Sequence, residues 1–105
     1  MEFNANYIGG EWVASSDANR NINPSDTNEV VGEYARANAA QTQDAIGAAR
    51  HAFSTWSCSG LETRQGILTR IGDELIARKD ELGRLLSSEE GKPVAEGTGE
   101  MVRSG

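Results

Sequence analysis

The sequence predicts a strand-then-helix arrangement: a β-hairpin region over residues 1–38, then a helical region over 39–105 holding two or three helices. Three observations predict it. A glycine pair interrupts the strand-like run YIGGEWV, β-branched and aromatic residues gather in EVVGEYARA, and from about residue 42 apolar side chains return every three or four positions.

In YIGGEWV, Tyr7 and Ile8 are separated from Trp12 and Val13 by Gly9, Gly10 and Glu11, a turn that tolerates positive φ and reads as a hairpin. Residues 15–21 are polar and read as a loop, and Ile22 closes a short strand before NPSDTN, whose Pro24, Asp26 and Asn28 favour turns. Val30, Val31 and Tyr34 then mark a further strand. Two hairpin-like units therefore precede any helix.

Thr42 is the expected N-cap of the first helix, with Asp44 in its first turn, and Ile46, Ala49, Phe53 and Trp56 form one stripe along it. Ser57–Gly60 interrupts that helix. Ser59 through Glu62 matches a capping box, so a second helix is expected to start there, with Ile67, Leu68, Ile71, Leu75 and Ile76 and then Leu82, Leu85 and Leu86 on its apolar side. Whether RKDEL over 78–82 divides it into two is left open by the pattern. Glu74 with Arg78, and Asp80 with Arg84, have the spacing of outer-face ion pairs, each contributing about 0.2–0.5 kcal/mol.

Gly91 occupies the left-handed position that ends a helix, and Pro93 suits the first turn of the next, so SSEEGKP reads as a helix-to-helix joint. Val94, Met101 and a Glu100–Arg103 pair support a third helix, in which Gly97 and Gly99 each cost about 0.8–1 kcal/mol relative to alanine. Such glycines call for close approach to another element. The sequence reaches Gly105 without supplying one, so we expect a segment of something larger.

Composition narrows the function. A chain of 105 residues is at most one domain, and thirteen alanines dilute its 37% hydrophobic content, so its core is modest. Ten basic against sixteen acidic residues give a net charge of −6, which repels a phosphate backbone and argues against nucleic acid as a partner. No apolar run is long enough for a membrane span, the start MEFNANYIGG is unlike a signal peptide, and the single cysteine forms no internal disulfide; a cytoplasmic, non-membrane protein is expected.

No group of residues assembles catalytic chemistry. The carboxylates Glu89, Glu90, Glu96 and Glu100 read as a solvated face, and Lys92 as an exposed capping lysine. His51 and Cys58 stand two helical turns, about 10 Å, apart, beyond hydrogen-bond reach if the helix continues. Gly97-Thr98-Gly99 opens like a dinucleotide fingerprint, but position six is Val102 and no strand precedes it. Trp12 and Trp56 suit core or interface anchors. No catalytic, cofactor-binding or metal residue is assigned.

The succession YIGGEWV, INPSDTNEVVGEYARA, AIGAARHAFSTWS and the long run from RQGILTR to EEGKPVAEGTGE resembles the N-terminal part of the NAD(P)-dependent aldehyde dehydrogenase superfamily, from about Tyr7 to Arg103. The resemblance implies an α/β parent fold with a Rossmann-type cofactor domain, of which residues 1–105 would be an N-terminal fragment without the catalytic and oligomerisation domains. It implies an enzyme that oxidises an aldehyde to a carboxylic acid through a cysteine thiohemiacetal, hydride transfer to NAD or NADP, and a glutamate-activated water. The semialdehyde group, ketoglutarate semialdehyde dehydrogenases included, is the implied subclass, and a homodimer or homotetramer the implied assembly.

The family's glycine motif, ELGGK-like glutamate and GQ.C-like cysteine have no counterpart in these residues, and SCSG around Cys58 does not match them. The fragment alone is thus expected to bind no cofactor and to be inactive. Two other readings stand beside this one: a free-standing helical interaction module, and a small thiol enzyme using Cys58.

Overall fold

The computed structural model describes residues 3–105, which divide into two compact units: residues up to Asn21 with Gly32–Ser59, and Ile22–Val31 with Gly60–Gly105.

In the first unit, β2 (Asn6–Ile8) and β3 (Glu11–Val13) form an antiparallel hairpin in which Ile8 faces Glu11. The turn is Gly9-Gly10 alone, at φ 61° and 88°, the two positive angles that a tight two-residue hairpin requires. Glu11 already belongs to the strand. Tyr7 and Trp12 stand opposite each other with ring centroids 4.8 Å apart.

A three-stranded sheet has the order β1 (Phe3–Asn4), β5 (Val30–Ala35), β4 (Ala18–Ile22), with β1 parallel to β5. Two of these strands depart from expectation. The polar run expected as a loop over 15–21 is largely strand β4, where Arg20 pairs across the sheet with Glu33 at 3.0 Å. Strand β1 lies in a stretch with no alternating pattern to announce it. Asn4 Nδ2 also donates to the Glu33 carbonyl at 3.3 Å.

Helix α1 spans Ala39–Trp56 and starts earlier than Thr42. Its cap is Asn38: Oδ1 accepts from Gln41 N at 2.8 Å, and Gln41 Oε1 accepts from Asn38 N at 3.1 Å. Ala39 and Ala40 are strong helix formers, so the helix grows back to the first side chain able to cap it. Thr42 Oγ1 donates to the Asn38 carbonyl from inside the first turn.

In the second unit, α2 (Leu61–Ala77), α3 (Lys79–Glu90) and α4 (Val94–Ser104) follow in order. Four helices thus replace the expected two or three. Ser59 is not the cap of α2: Gly60 is, with no side-chain bond, while Ser59 Oγ donates to Trp56 O at 2.7 Å and closes the end of α1. The division within RKDEL falls at Arg78, at φ −104° and ψ 17°.

That bend redirects the Arg78 guanidinium away from Glu74 and onto Glu81, with contacts of 2.7 and 3.1 Å. Among the described residues neither an Asp80–Arg84 nor a Glu100–Arg103 ion pair forms. The segment Asn23–Glu29 folds on itself, with Asn23 Oδ1 accepting from Ser25 N and Asp26 Oδ1 from Asn28 N.

Burial is concentrated in a few small residues. Among the described residues no large apolar side chain is buried; in the second unit the buried positions are Gly83, Ser87 and Gly97. The apolar stripes read from the sequence exist but lie open: Phe53 is 66% exposed on α1 and Leu68 67% on α2. Trp12 and Trp56 are exposed too, so neither anchors a core within this chain.

Candidate functional site

Polar and charged groups converge at the joint between α3 and α4. Gly91 ends α3 at φ 75°, a left-handed angle, and its N–H donates to Ser87 O at 2.8 Å. A Cβ there would also stand 2.9 Å from Pro24 Cγ. Pro93, at φ −57° and ψ 142°, caps α4, one position before the first turn.

Close backbone approach then holds the two helices together. Gly83 and Ser87 lie one turn apart on α3 and face Gly97 on α4, where an added Cβ would collide with the Gly83 carbonyl oxygen and stand 2.6 Å from Ser87 Oγ. A Cβ on Gly83 would meet the Thr98 backbone at 2.7 Å. The partner that Gly97 calls for is therefore α3, within this chain. Gly99 has nothing within 4 Å.

Lys92 spans the joint. Its Nζ lies 2.7 Å from Glu90 Oε2 and also donates to Glu100 Oε1, and its side chain keeps only 20% of its exposure. This corrects the expectation of an exposed capping lysine: the turn at Gly91 folds the lysine back between the end of one helix and the middle of the next. Glu90 and Glu100, expected on a solvated face, are engaged by it. Hydrogen bonds to Glu100 first, and then to Glu90, hold the Lys92 ammonium above its ordinary value, so it stays protonated at neutral pH and is no base or amine nucleophile. Arg78 is raised and Glu81 lowered by their mutual hydrogen bond.

Elsewhere, the described residues bring no catalytic set together. Cys58 is exposed beyond the end of α1, its Sγ 3.8 Å from Ser57 Oγ, whereas His51 lies within α1. No three His, Cys, Asp or Glu side chains among the described residues are grouped to hold a metal ion. Gly97-Thr98-Gly99 lies inside α4, with Gly97 against α3, so no strand-to-helix glycine turn exists there to cradle a pyrophosphate. These residues do not fit a dinucleotide. An open groove of about 410 Å³ along α2 is lined by Ile67, Ile71, Leu75 and Leu82 with Arg70 and Arg78 beside them. No helix among the described residues is long and apolar enough to cross a membrane.

What this arrangement belongs to is decided by comparison with known proteins. Residues 12–105 match the model of the aldehyde dehydrogenase family. The chain belongs to that family. N-succinylglutamate 5-semialdehyde dehydrogenase of Chromobacterium violaceum is 41% identical over 97 residues, covering 91% of this chain and 20% of the relative.

The structure of Thermus thermophilus 1-pyrroline-5-carboxylate dehydrogenase superposes with a TM-score of 0.92 at 36% identity, over 96% of this chain and 20% of that one. Betaine aldehyde dehydrogenase of Staphylococcus aureus, solved in complex with NAD+, gives 0.86 at 33% identity, over 92% and 20%. This aldehyde dehydrogenase segment spans about a fifth of the length of the relatives it matches.

The sequence pointed to the joint at SSEEGKP but missed Gly83, Asn38 and the Lys92 bridge. Asn38 followed by Gln41 was a readable signal, because a capping box needs that spacing. Gly83 and Lys92 carried none, since their partners are set by where α4 lies.

Proposed function

We propose that these residues supply non-catalytic framework to an enzyme that oxidises an aldehyde, of the semialdehyde class, to a carboxylic acid with NAD or NADP as hydride acceptor. The family match over residues 12–105 carries this reading. A semialdehyde dehydrogenase among the relatives supports the substrate class, and NAD+ in a related structure supports the cofactor. We place the segment at the N-terminal edge of the cofactor-binding domain, in a cytoplasmic homo-oligomer. On this reading Lys92, Gly83 and Gly97 fix the direction of α4, while the open faces of α1 and α2 receive the remainder of the enzyme. Aldehyde binding, hydride transfer and hydrolysis belong to residues outside this segment.

The test is a chimera in which this segment replaces the matched fifth of the Chromobacterium enzyme, assayed for aldehyde-dependent NADH formation. Framework predicts turnover with the recipient's own aldehyde preference. A changed preference in a soluble chimera, or turnover by the 105-residue chain alone, would overturn it.

A further inference from the structure

Stabilising features are unequally shared among the helices. Helix α1 has a side-chain capping box and α2 has none, and neither contains a buried residue. Gly47 in α1 and Gly66 in α2 are interior glycines with nothing within 4 Å of an added Cβ, so they weaken the helix without a packing return. Most helical stability in proteins comes from a packed face, and α1 and α2 have none buried despite their greater length.

Helices α3 and α4 also lack side-chain caps, and Gly99 of α4 is open, but they differ in having a packed contact. Gly83, Ser87 and Gly97 are all buried in their mutual contact. Ser87 Oγ donates to the Pro93 carbonyl at 3.3 Å across the turn, and Lys92 ties Glu90 to Glu100. The connection is only Gly91 to Pro93, so closing it costs little chain entropy.

We propose that the α3–α4 hairpin is the folding kernel of this chain, closed under native conditions while α1 and α2 open by local unfolding. Closure needs no partner beyond residues 79–104. The kernel holds the end of α4 on α2, where a Cβ at Gly72 would lie 3.2 Å from the Gly105 carbonyl oxygen. Coverage by further protein is then needed only to order α1 and α2.

Amide hydrogen exchange on the full 105-residue chain tests this. Amides of residues 83–104 should exchange roughly tenfold or more slowly than those of 39–77. Lys92→Met should speed exchange in 94–104 by roughly twofold or more, through loss of both ion pairs. Leu68→Ser, on the open face of α2, should leave the hairpin's exchange unchanged. Equal rates in all helices, slower exchange in α1 or α2, or no protection anywhere would each overturn the proposal. So would a Leu68→Ser variant that opens the hairpin as much as Lys92→Met does.

Discussion

The same substitution made two residues apart in α4 should change stability in opposite directions. At Gly97 an alanine Cβ would overlap the Gly83 carbonyl and crowd Ser87 Oγ. The near neighbour is backbone, so no rotamer change relieves it and α4 must move, at an overpacking cost near the upper end of about 1–3 kcal/mol. The gain in helix propensity, about 1 kcal/mol, offsets part of this, leaving a net loss of about 2 kcal/mol. At Gly99 the added methyl meets nothing within 4 Å, so the propensity gain of about 1 kcal/mol stands alone.

In urea unfolding followed by helical circular dichroism, with a slope of about 1 kcal/mol per M, Gly97→Ala should lower the midpoint by about 2 M and Gly99→Ala raise it by about 1 M. Equal effects at the two positions would refute the claim that α3–α4 approach, and not helix propensity, explains Gly97.

Asn38→Ala should cost about 1 kcal/mol and reduce the helicity of α1, whereas Thr42→Ala should be near neutral in the same thermal melts. Gly91→Ala places a Cβ at φ 75° and against Pro24, costing about 1–2 kcal/mol from backbone strain alone; a melting temperature unchanged from the parent would contradict the left-handed cap. Because Lys92 is raised in the folded state, its contribution is complete below the ordinary lysine value and fades as pH climbs through the raised one. Unfolding at rising alkaline pH should show that loss, and Lys92→Met should abolish it. For Glu81 the sign reverses: its contribution is present above the ordinary glutamate value and is lost as pH falls through the lowered one. Replacing Phe53 and Leu61, which are 66% and 84% exposed, by Gln should change stability by under about 0.5 kcal/mol each while reducing self-association in light scattering.

Features governed by near neighbours along the chain are legible in the sequence. The Gly9-Gly10 turn follows from backbone sterics at two adjacent positions, and the end of α3 at Gly91 follows from the left-handed angle that glycine tolerates. The stripes of α1 and α2 follow from the helical period. Where local signals competed, the sequence misled: Thr42 and Ser59 are good capping residues, but Asn38 captured the start of α1 and Ser59 was drawn to the end of the same helix.

The partners of side chains that meet across elements were decided by tertiary structure alone. Lys92 chose Glu90 and Glu100, Arg78 chose Glu81 over Glu74, and Gly97 found Gly83, because the bend at Arg78 and the turn at Gly91 set which groups come within reach. Sequence by itself determined where the helical stripes run and where the Gly9-Gly10 and Gly91 turns fall, since those energies depend on near neighbours along the chain. Only the fold decided which glycines are packed and which lie open, since that depends on distances between backbones that no local pattern encodes.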